Sequence, residues 1–183
     1  MKVTPLKIPD VLIFEPTIFD DERGFFFESF NQEIFQRHQS RQVTFVQDNQ
    51  SQSVGGVLRG LHYQLPKPQG KLLRVLAGEI FDVAVDIRSR SSTFGECVSH
   101  VITSENKKQI WIPEGFAHGF YVLSEWADVL YKTTDYYSPT DENGIVWNDP
   151  KLGIDWPIRT QPILSKKDSD LPNLDTALHF DGP

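Results

Sequence analysis

Two histidines in this chain stand where proton chemistry could be done. The first is His62, within Arg59-Gly60-Leu61-His62-Tyr63-Gln64. At strand spacing Arg59 and Leu61 fall on one face, and Gly60, His62 and Gln64 on the other. A polar row of His62 and Gln64 suits either solvent or a wet interior. The second is His118, which closes Pro113-Glu114-Gly115-Phe116-Ala117-His118. There Pro and Gly build a tight turn, and the histidine enters the strand that follows. An imidazole has a reference pKa of about 6.5, so it exchanges protons at neutral pH. Tyr131, in Tyr131-Lys132-x-x-Asp135-Tyr136-Tyr137, is a phenol that stays protonated there and could project inward as a proton donor. Lys167-Asp168 near the end offers a carboxylate that, folded back onto His62, would fix its tautomer and raise its basicity. Arg23, Arg59, Lys71 and Arg74 form a cationic set able to hold a diphosphate if they converge. Each of these groups also has an ordinary structural reading, and spacing alone leaves both open.

The elements that must position these groups are strands. Twelve Gly, twelve Pro and 22 aromatic residues among 183 argue for many short strands separated by turns and against a helical bundle. Residues 11–19 read as an apolar strand with a bend at Pro16, and Gly24 opens FFFESF with Phe25 and Phe27 on one side and Phe26 and Glu28 on the other. Residues 29–40 give the one helix of note, with Ser29 and Gln32 as a capping box. VTFVQDN (43–49) reads as a strand and SQSVGG as the turn after it. LLRVLA and EIFDVAVDIR alternate about Gly78 as a hairpin, placing Phe81, Val83, Val85 and Ile87 opposite Asp82 and Asp86. Further strands are expected near 97–103, 109–112, 118–123 and 127–134. Some ten to twelve strands at this spacing indicate a sandwich or barrel, followed by an irregular tail. One domain spanning residues 1–183 is expected.

Charge and composition exclude several classes. Lys plus Arg number 18 against 25 Asp plus Glu, a net charge of −7, the wrong sign for a nucleic-acid binder. The imbalance is uneven: residues 1–100 carry 11 basic and 12 acidic groups, residues 101–183 carry 7 and 13. The cationic set therefore sits in the near-neutral half. A single Cys97 excludes intrachain disulfides and cysteine metal clusters. No phosphate-binding glycine loop occurs, so a nucleotide would be held by strand side chains. The start, MKVTPLKIPDVLIFEP, has Pro5, Pro9 and Asp10 where a leader needs an apolar run, so a soluble cytoplasmic protein is expected.

Gly56-x5-His62 and Pro113-x-Gly115-x-x-His118 resemble the two cupin motifs, which lie on adjacent strands facing a barrel interior. Gln64 stands where the first motif has a second histidine, and Gln69 and Gly70 where it has a carboxylate. Two imidazoles without a carboxylate make a poor divalent-metal site, so a metal-free pocket with His62 free to act as a base is expected. Taken together, a longer series of segments resembles the dTDP-4-dehydrorhamnose 3,5-epimerase family. It comprises Asp21-Glu22-Arg23-Gly24-Phe25-Phe26, Phe45-Val46-Gln47-Asp48-Asn49, Leu58 to Gln64, Gln69-Gly70-Lys71, Phe81 to Arg88, Trp111 to Phe120, Leu130-Tyr131-Lys132, Trp147-Asn148-Asp149-Pro150 and Leu164 to Asp168.

The resemblance implies a jelly-roll β-sandwich of cupin type, a homodimer with exchanged N-terminal strands, and no cofactor. It implies His62 as the base, Asp168 as its orienting partner, Tyr131 as the acid of the opposite face and Lys71 at the enolate oxygen. It further implies that Arg23, Glu28, Gln47, Asp48, Asn49, Arg59, His118, Glu142 and Lys167 contact the nucleotide sugar, with Tyr137 or Phe26 stacking on thymine. The reaction would be epimerisation of a dTDP-4-keto-6-deoxy sugar at C3 and C5. An epimerase of one carbon only, a non-catalytic sugar-nucleotide-binding cupin and a metal-dependent cupin oxygenase are the competing readings.

Overall fold

The computed structural model describes residues 1–158 and 160–181. Alternating apolar residues fold into two antiparallel sheets that face each other. The six-stranded sheet has the order β1 (Lys2–Pro5), β2 (Leu12–Glu15), β10 (Gln109–Ile112), β7 (Lys71–Ala77), β12 (Trp126–Thr133), β5 (Gln47–Val54). The five-stranded sheet runs β13 (Glu142–Gly144), β6 (Leu58–Gln64), β11 (Phe116–Val122), β8 (Glu79–Asp86), β9 (Cys97–Thr103). Strands β3 (Phe19–Asp21) and β4 (Gly24–Phe26) pair only with each other. This is the cupin-type jelly roll that the sequence led us to expect.

Three apolar layers hold the sheets. Between them lie Ile13, Leu73, Val75, Ile80, Ala84, Ile110, Phe120 and Val129 with their neighbours. The outer face of the six-stranded sheet is covered by Phe35 of α1 (Gln32–Gln36), which meets Trp111 edge-on at 5.0 Å. The outer face of the five-stranded sheet, with Leu61, Val83, Val85 and Ile87, is covered by the C-terminal segment through Ile145, Leu152 and Leu174. That segment is ordered because its polar groups are also satisfied. Buried Asp149 accepts the Leu174 amide at 2.6 Å, and Ile145 exchanges backbone hydrogen bonds with Leu61 on β6. It also carries α2 (Lys166–Ser169).

The structure corrects several local expectations. Residues 43–46 are not a strand; β5 begins at Gln47 and runs straight through Ser51-Gln52-Ser53, leaving the turn to Gly55 and Gly56. The helix is shorter than 29–40 and is capped by Asn31, whose side chain accepts the Ile34 amide at 3.0 Å. Gln32 is no box partner of Ser29; its amide donates to the Val43 carbonyl. Strands β7 and β8 are not a hairpin but belong to opposite sheets. Gly78, at φ +79°, makes that crossing where any Cβ would strike the Trp126 carbonyl. Asp82 and Asp86 are on the face expected, yet both are fully buried. Among the described residues no helix is long and apolar enough to cross a membrane.

Candidate active site

A cavity of about 260 Å³ opens between the sheets, lined by Asn49, His62, Gln64, Lys71, Tyr131, Tyr137 and Glu142 among others. His62 comes from β6 in the five-stranded sheet, and Tyr131 from β12 in the facing sheet. Lys71 opens β7, next to β12, and its ammonium donates to the His62 carbonyl at 3.3 Å. The two sheets therefore present an imidazole from one wall and a phenol and an ammonium from the other.

Residue Asp168 reaches this cavity from the far end of the chain. Ser165 caps α2 by accepting the Asp168 amide at 3.0 Å, and the carboxylate then meets His62 Nε2 at 2.5 Å. Burial alone would raise the Asp168 pKa. The hydrogen bond and charge of His62 outweigh it, with Ser165 and Lys167 assisting, and hold the carboxyl below the usual aspartate range. An anionic Asp168 fixes the proton on Nε2 and leaves Nδ1 with the lone pair.

The other wall is tuned the opposite way. Burial raises the Tyr131 phenol; Arg59 opposes this and Glu142 reinforces it, so the group keeps its proton across the neutral range. Burial lowers the Lys71 ammonium to about 8, against the pull of Glu142 and Asp82. Glu142 is held low despite burial, because Lys167 pairs with it and Tyr137 donates to it at 2.5 Å. That bond pushes the Tyr137 phenol up to about 12.

Side-chain brackets complete the site on β5 and β6. Gln47 donates to Asn49 at 2.8 Å and accepts the Tyr137 amide at 3.1 Å, which ties the Tyr137 loop to β5. Gln64, at the position of a cupin ligand, instead donates to the Lys67 and Tyr136 carbonyls and accepts the Ser138 amide. Arg59 donates to Ser53 on β5 at 2.9 Å, so it faces the opposite sheet as His62 does, while Leu61 packs outward. The expectation that Arg59 and Leu61 share a face fails because the β6–β11 register shifts between His118 and Phe120. Gly60 permits it: at φ +116°, a Cβ there would lie 2.6 Å from the Gly119 Cα.

Not every expected residue lines the cavity. His118 is the cross-strand partner of His62, but it is buried behind the wall, its Nε2 2.7 Å from Asp82. Asp48 pairs with Lys132 at 3.0 Å outside the cavity. Arg74 borders a neighbouring cavity with Leu72, Leu130 and Lys132, which shares Tyr131 with the first. Arg23 bonds to Asp21 on the exposed β3–β4 hairpin, where Phe26 is 70% exposed; neither Arg23, Phe26 nor Glu28 borders the cavity. Asp82 is the residue that sequence reasoning missed. Its signal was a charge inside an otherwise apolar alternating strand. A larger open cleft of about 760 Å³ lies beside Pro9, Pro66 and Pro113, but its Arg41–Glu114 and Arg88–Asp86 charges are mutually paired. His38 also lines it, edge-on to Phe14 and with no carboxylate beside it among the described residues.

The sequence profile described as dTDP-4-dehydrorhamnose 3,5-epimerase matches residues 5–176. The chain belongs to this family. It is 60% identical over 168 residues to the dTDP-4-dehydrorhamnose 3,5-epimerase of Pseudomonas aeruginosa, covering 92% of this chain and 93% of that one. Among solved structures it resembles the Legionella pneumophila dTDP-6-deoxy-D-glucose-3,5-epimerase in complex with dTDP-4-keto-L-rhamnose, at 53% identity and a TM-score of 0.93, covering 96% and 93% of the two chains. It also resembles a 3'-monoepimerase from Streptomyces bikiniensis in complex with dTDP-quinovose, at 34% identity and a TM-score of 0.88, covering 94% and 87%. The solved structures it resembles thus include a protein described as a monoepimerase.

Proposed function

We propose that this protein is a dTDP-4-dehydrorhamnose 3,5-epimerase, converting dTDP-4-dehydro-6-deoxy-D-glucose into dTDP-4-dehydro-L-rhamnose for the synthesis of rhamnose-containing surface polysaccharide. The observation that carries this reading is the placement around one cavity of His62 on one sheet, backed by Asp168 of α2, and of Tyr131 and Lys71 on the facing sheet. The substrate's C4 ketone acidifies the protons on C3 and C5, since each carbanion delocalises as an enolate. His62 Nδ1 removes the proton from one ring face, and Asp168 stabilises the imidazolium that forms. The Lys71 ammonium balances the enolate oxygen. Tyr131 delivers a proton from the other face, which inverts the carbon. The base and acid must stand on opposite sides of the ring, as two facing sheets allow. No redox step is involved, since the ketone is present from the start and the C–H bond is broken and remade as a proton transfer.

Arg59, Gln47, Asn49, Glu142 and Lys167 are read as contacts to the diphosphate and sugar around the cavity mouth. Tyr137, half exposed at the rim, is read as the platform for thymine. Arg23, Glu28 and Phe26 have no place at the cavity of their own chain. Their hairpin carries Phe19, Phe25 and Phe26, each more than half exposed, and pairs with neither main sheet. This supports a homodimer in which each hairpin completes the partner's site. A cytoplasmic location is part of the same proposal.

Turnover in D2O with a mass-spectrometric readout tests the reaction. Deuterium at both C3 and C5 is expected. Label at one carbon would make the protein a monoepimerase, and none would make it a binding protein. The shared site is tested by mixing Arg23→Ala and His62→Ala subunits, each inactive alone. Random exchange should restore about a quarter of wild-type activity, whereas no restoration would mean that Arg23 and His62 serve a site within one subunit.

A further inference from the structure

Residues 134–141 join β12 to β13, so they cross from one sheet to the other at the rim of the cavity and carry Tyr137. Residues 136–138 lie outside any strand, and their backbone is bound by side-chain amides instead of a ladder. The Asp135 carbonyl accepts the Gln69 amide at 2.8 Å and the Thr133 hydroxyl at 2.9 Å. The Tyr136 carbonyl accepts Gln64 at 3.2 Å, the Tyr137 amide donates to Gln47 at 3.1 Å, and the Ser138 amide donates to Gln64 at 2.8 Å. Gln64 is the centre of this set. It is 3% exposed, and its side-chain amide also donates to the Lys67 carbonyl at 2.9 Å. A carboxamide has two donors and an acceptor oxygen, and Gln64 engages all three. A glutamate offers no donor, and a neutral imidazole only one donor and one acceptor. The residue type therefore answers to the backbone it joins.

We propose that Gln64, assisted by Gln47, is a positioning residue for nucleotide binding, which latches the Tyr137 segment to both sheets and fixes the rim of the cavity. This rests on the epimerase reading for the identity of the ligand, but not for the latch itself. Gln47 stands on β5 of the six-stranded sheet and Gln64 on β6 of the five-stranded one, so the segment is held from both walls. What the latch sets is the place of a phenol ring. Tyr137 donates to Glu142 at 2.5 Å, and Glu142 pairs with Lys167, the neighbour of Asp168 on α2. A ring held at its backbone and at its hydroxyl is preorganised, and a base stacking on it loses little entropy in ordering it. The bond to Lys67 also ties down the segment between β6 and β7, which leads into Lys71. Because a carboxamide does not titrate, the rim keeps its shape while the base takes up and releases protons.

Backbone amide hydrogen exchange, resolved to single residues by mass spectrometry, tests the latch without any ligand. In the wild type the Tyr137 and Ser138 amides should be protected. In Gln64→Met both should exchange about tenfold faster, the scale of one hydrogen bond, while β8 stays protected and reports the fold. Gln47→Met should speed exchange at Tyr137 by a similar factor, and it decides the matter even if Gln64→Met does not fold. Unchanged exchange at Tyr137 in either folded variant would overturn the latch. Its effect on binding is read by calorimetry with dTDP. Gln64→Met should weaken dTDP about tenfold when Tyr137 is present, and less than about twofold in Tyr137→Ala, because the effect runs through that ring. KM for the sugar nucleotide should rise in step, with kcat within about threefold of wild type. Equal weakening with and without Tyr137 would overturn the positioning role. Wild-type protein that binds no dTDP would count against the epimerase reading, while the exchange result still decides the latch.

Discussion

Two histidine–carboxylate pairs stand on neighbouring strands of one sheet, and they differ in almost everything but composition. His62 borders the cavity, and its carboxylate arrives from a helix 106 residues further along the chain. His118 is buried, and its carboxylate comes from the next strand of the same sheet. The first pair keeps a ring nitrogen free beside space for a ligand. The second is closed in by backbone and core. A histidine held by an aspartate is therefore no mark of catalysis by itself; what decides is whether the other nitrogen has access to a reacting atom.

The sharpest way to break this comparison is to replace each histidine in turn. His62→Asn should lower kcat about 10⁴-fold and abolish solvent-deuterium exchange at both carbons, since His62 is the one imidazole that borders the cavity among the described residues and Glu142 is taken up by Lys167 and Tyr137. His118→Asn should cost only about tenfold to a hundredfold, the scale on which groups behind a working residue act. Equal losses would mean that the buried pair takes part in proton transfer directly, and the distinction drawn from access would fall.

Next in size comes the opposite wall. Tyr131→Phe should reduce inversion about 10²-fold or more while leaving exchange of the abstracted proton with solvent. The base survives in this variant and can return its own proton to the face it came from. Deuterium would then accumulate in substrate of unchanged configuration, visible by NMR. Inversion at the wild-type rate would remove Tyr131 from the role of acid.

Some of this comparison was legible in the sequence and some was not. Local alternation placed β8 through β12 closely, because Val83, Val85 and Ile87 are an uninterrupted half of a strand's period. The resemblance carried His62, Lys71, Tyr131 and Asp168, and the structure brings all four together. Pattern alone had no means of bringing Asp168 to His62, since only the packing of Ile145 and Leu174 over β6 and β8 folds the tail back. The misreadings share a cause. The polar run Ser51-Gln52-Ser53 looks like a turn but lies at a sheet edge whose inner side faces a wet cavity. Gly78 looks like a hairpin turn but joins two sheets. The one-residue shift at Gly60 reverses Arg59, and a shift of register is invisible in alternation. Asp82 was seen as the polar face of its strand, whereas that face is the interior.

The smallest expected effect separates the pairs by acid stability. Asp168 is held below its ordinary value of 3.8, so in the unfolded chain it binds its proton at a higher pH than in the native state. The sign follows from linkage: its stabilising contribution is complete above the unfolded value and is lost as pH falls through the lower native one. Urea-unfolding midpoints should therefore be level above about pH 5 and decline below about pH 4. In Asp168→Asn the decline should be shallower, because one carboxylate that must be protonated has been removed. Asp86, held low by Arg88, Ser91 and Thr93 against its burial, remains in the variant and keeps part of the slope. A variant as acid-sensitive as the wild type would show that the charge of Asp168 is not coupled to His62 in the folded protein, and that the free Nδ1 has to be explained by packing of the ring alone.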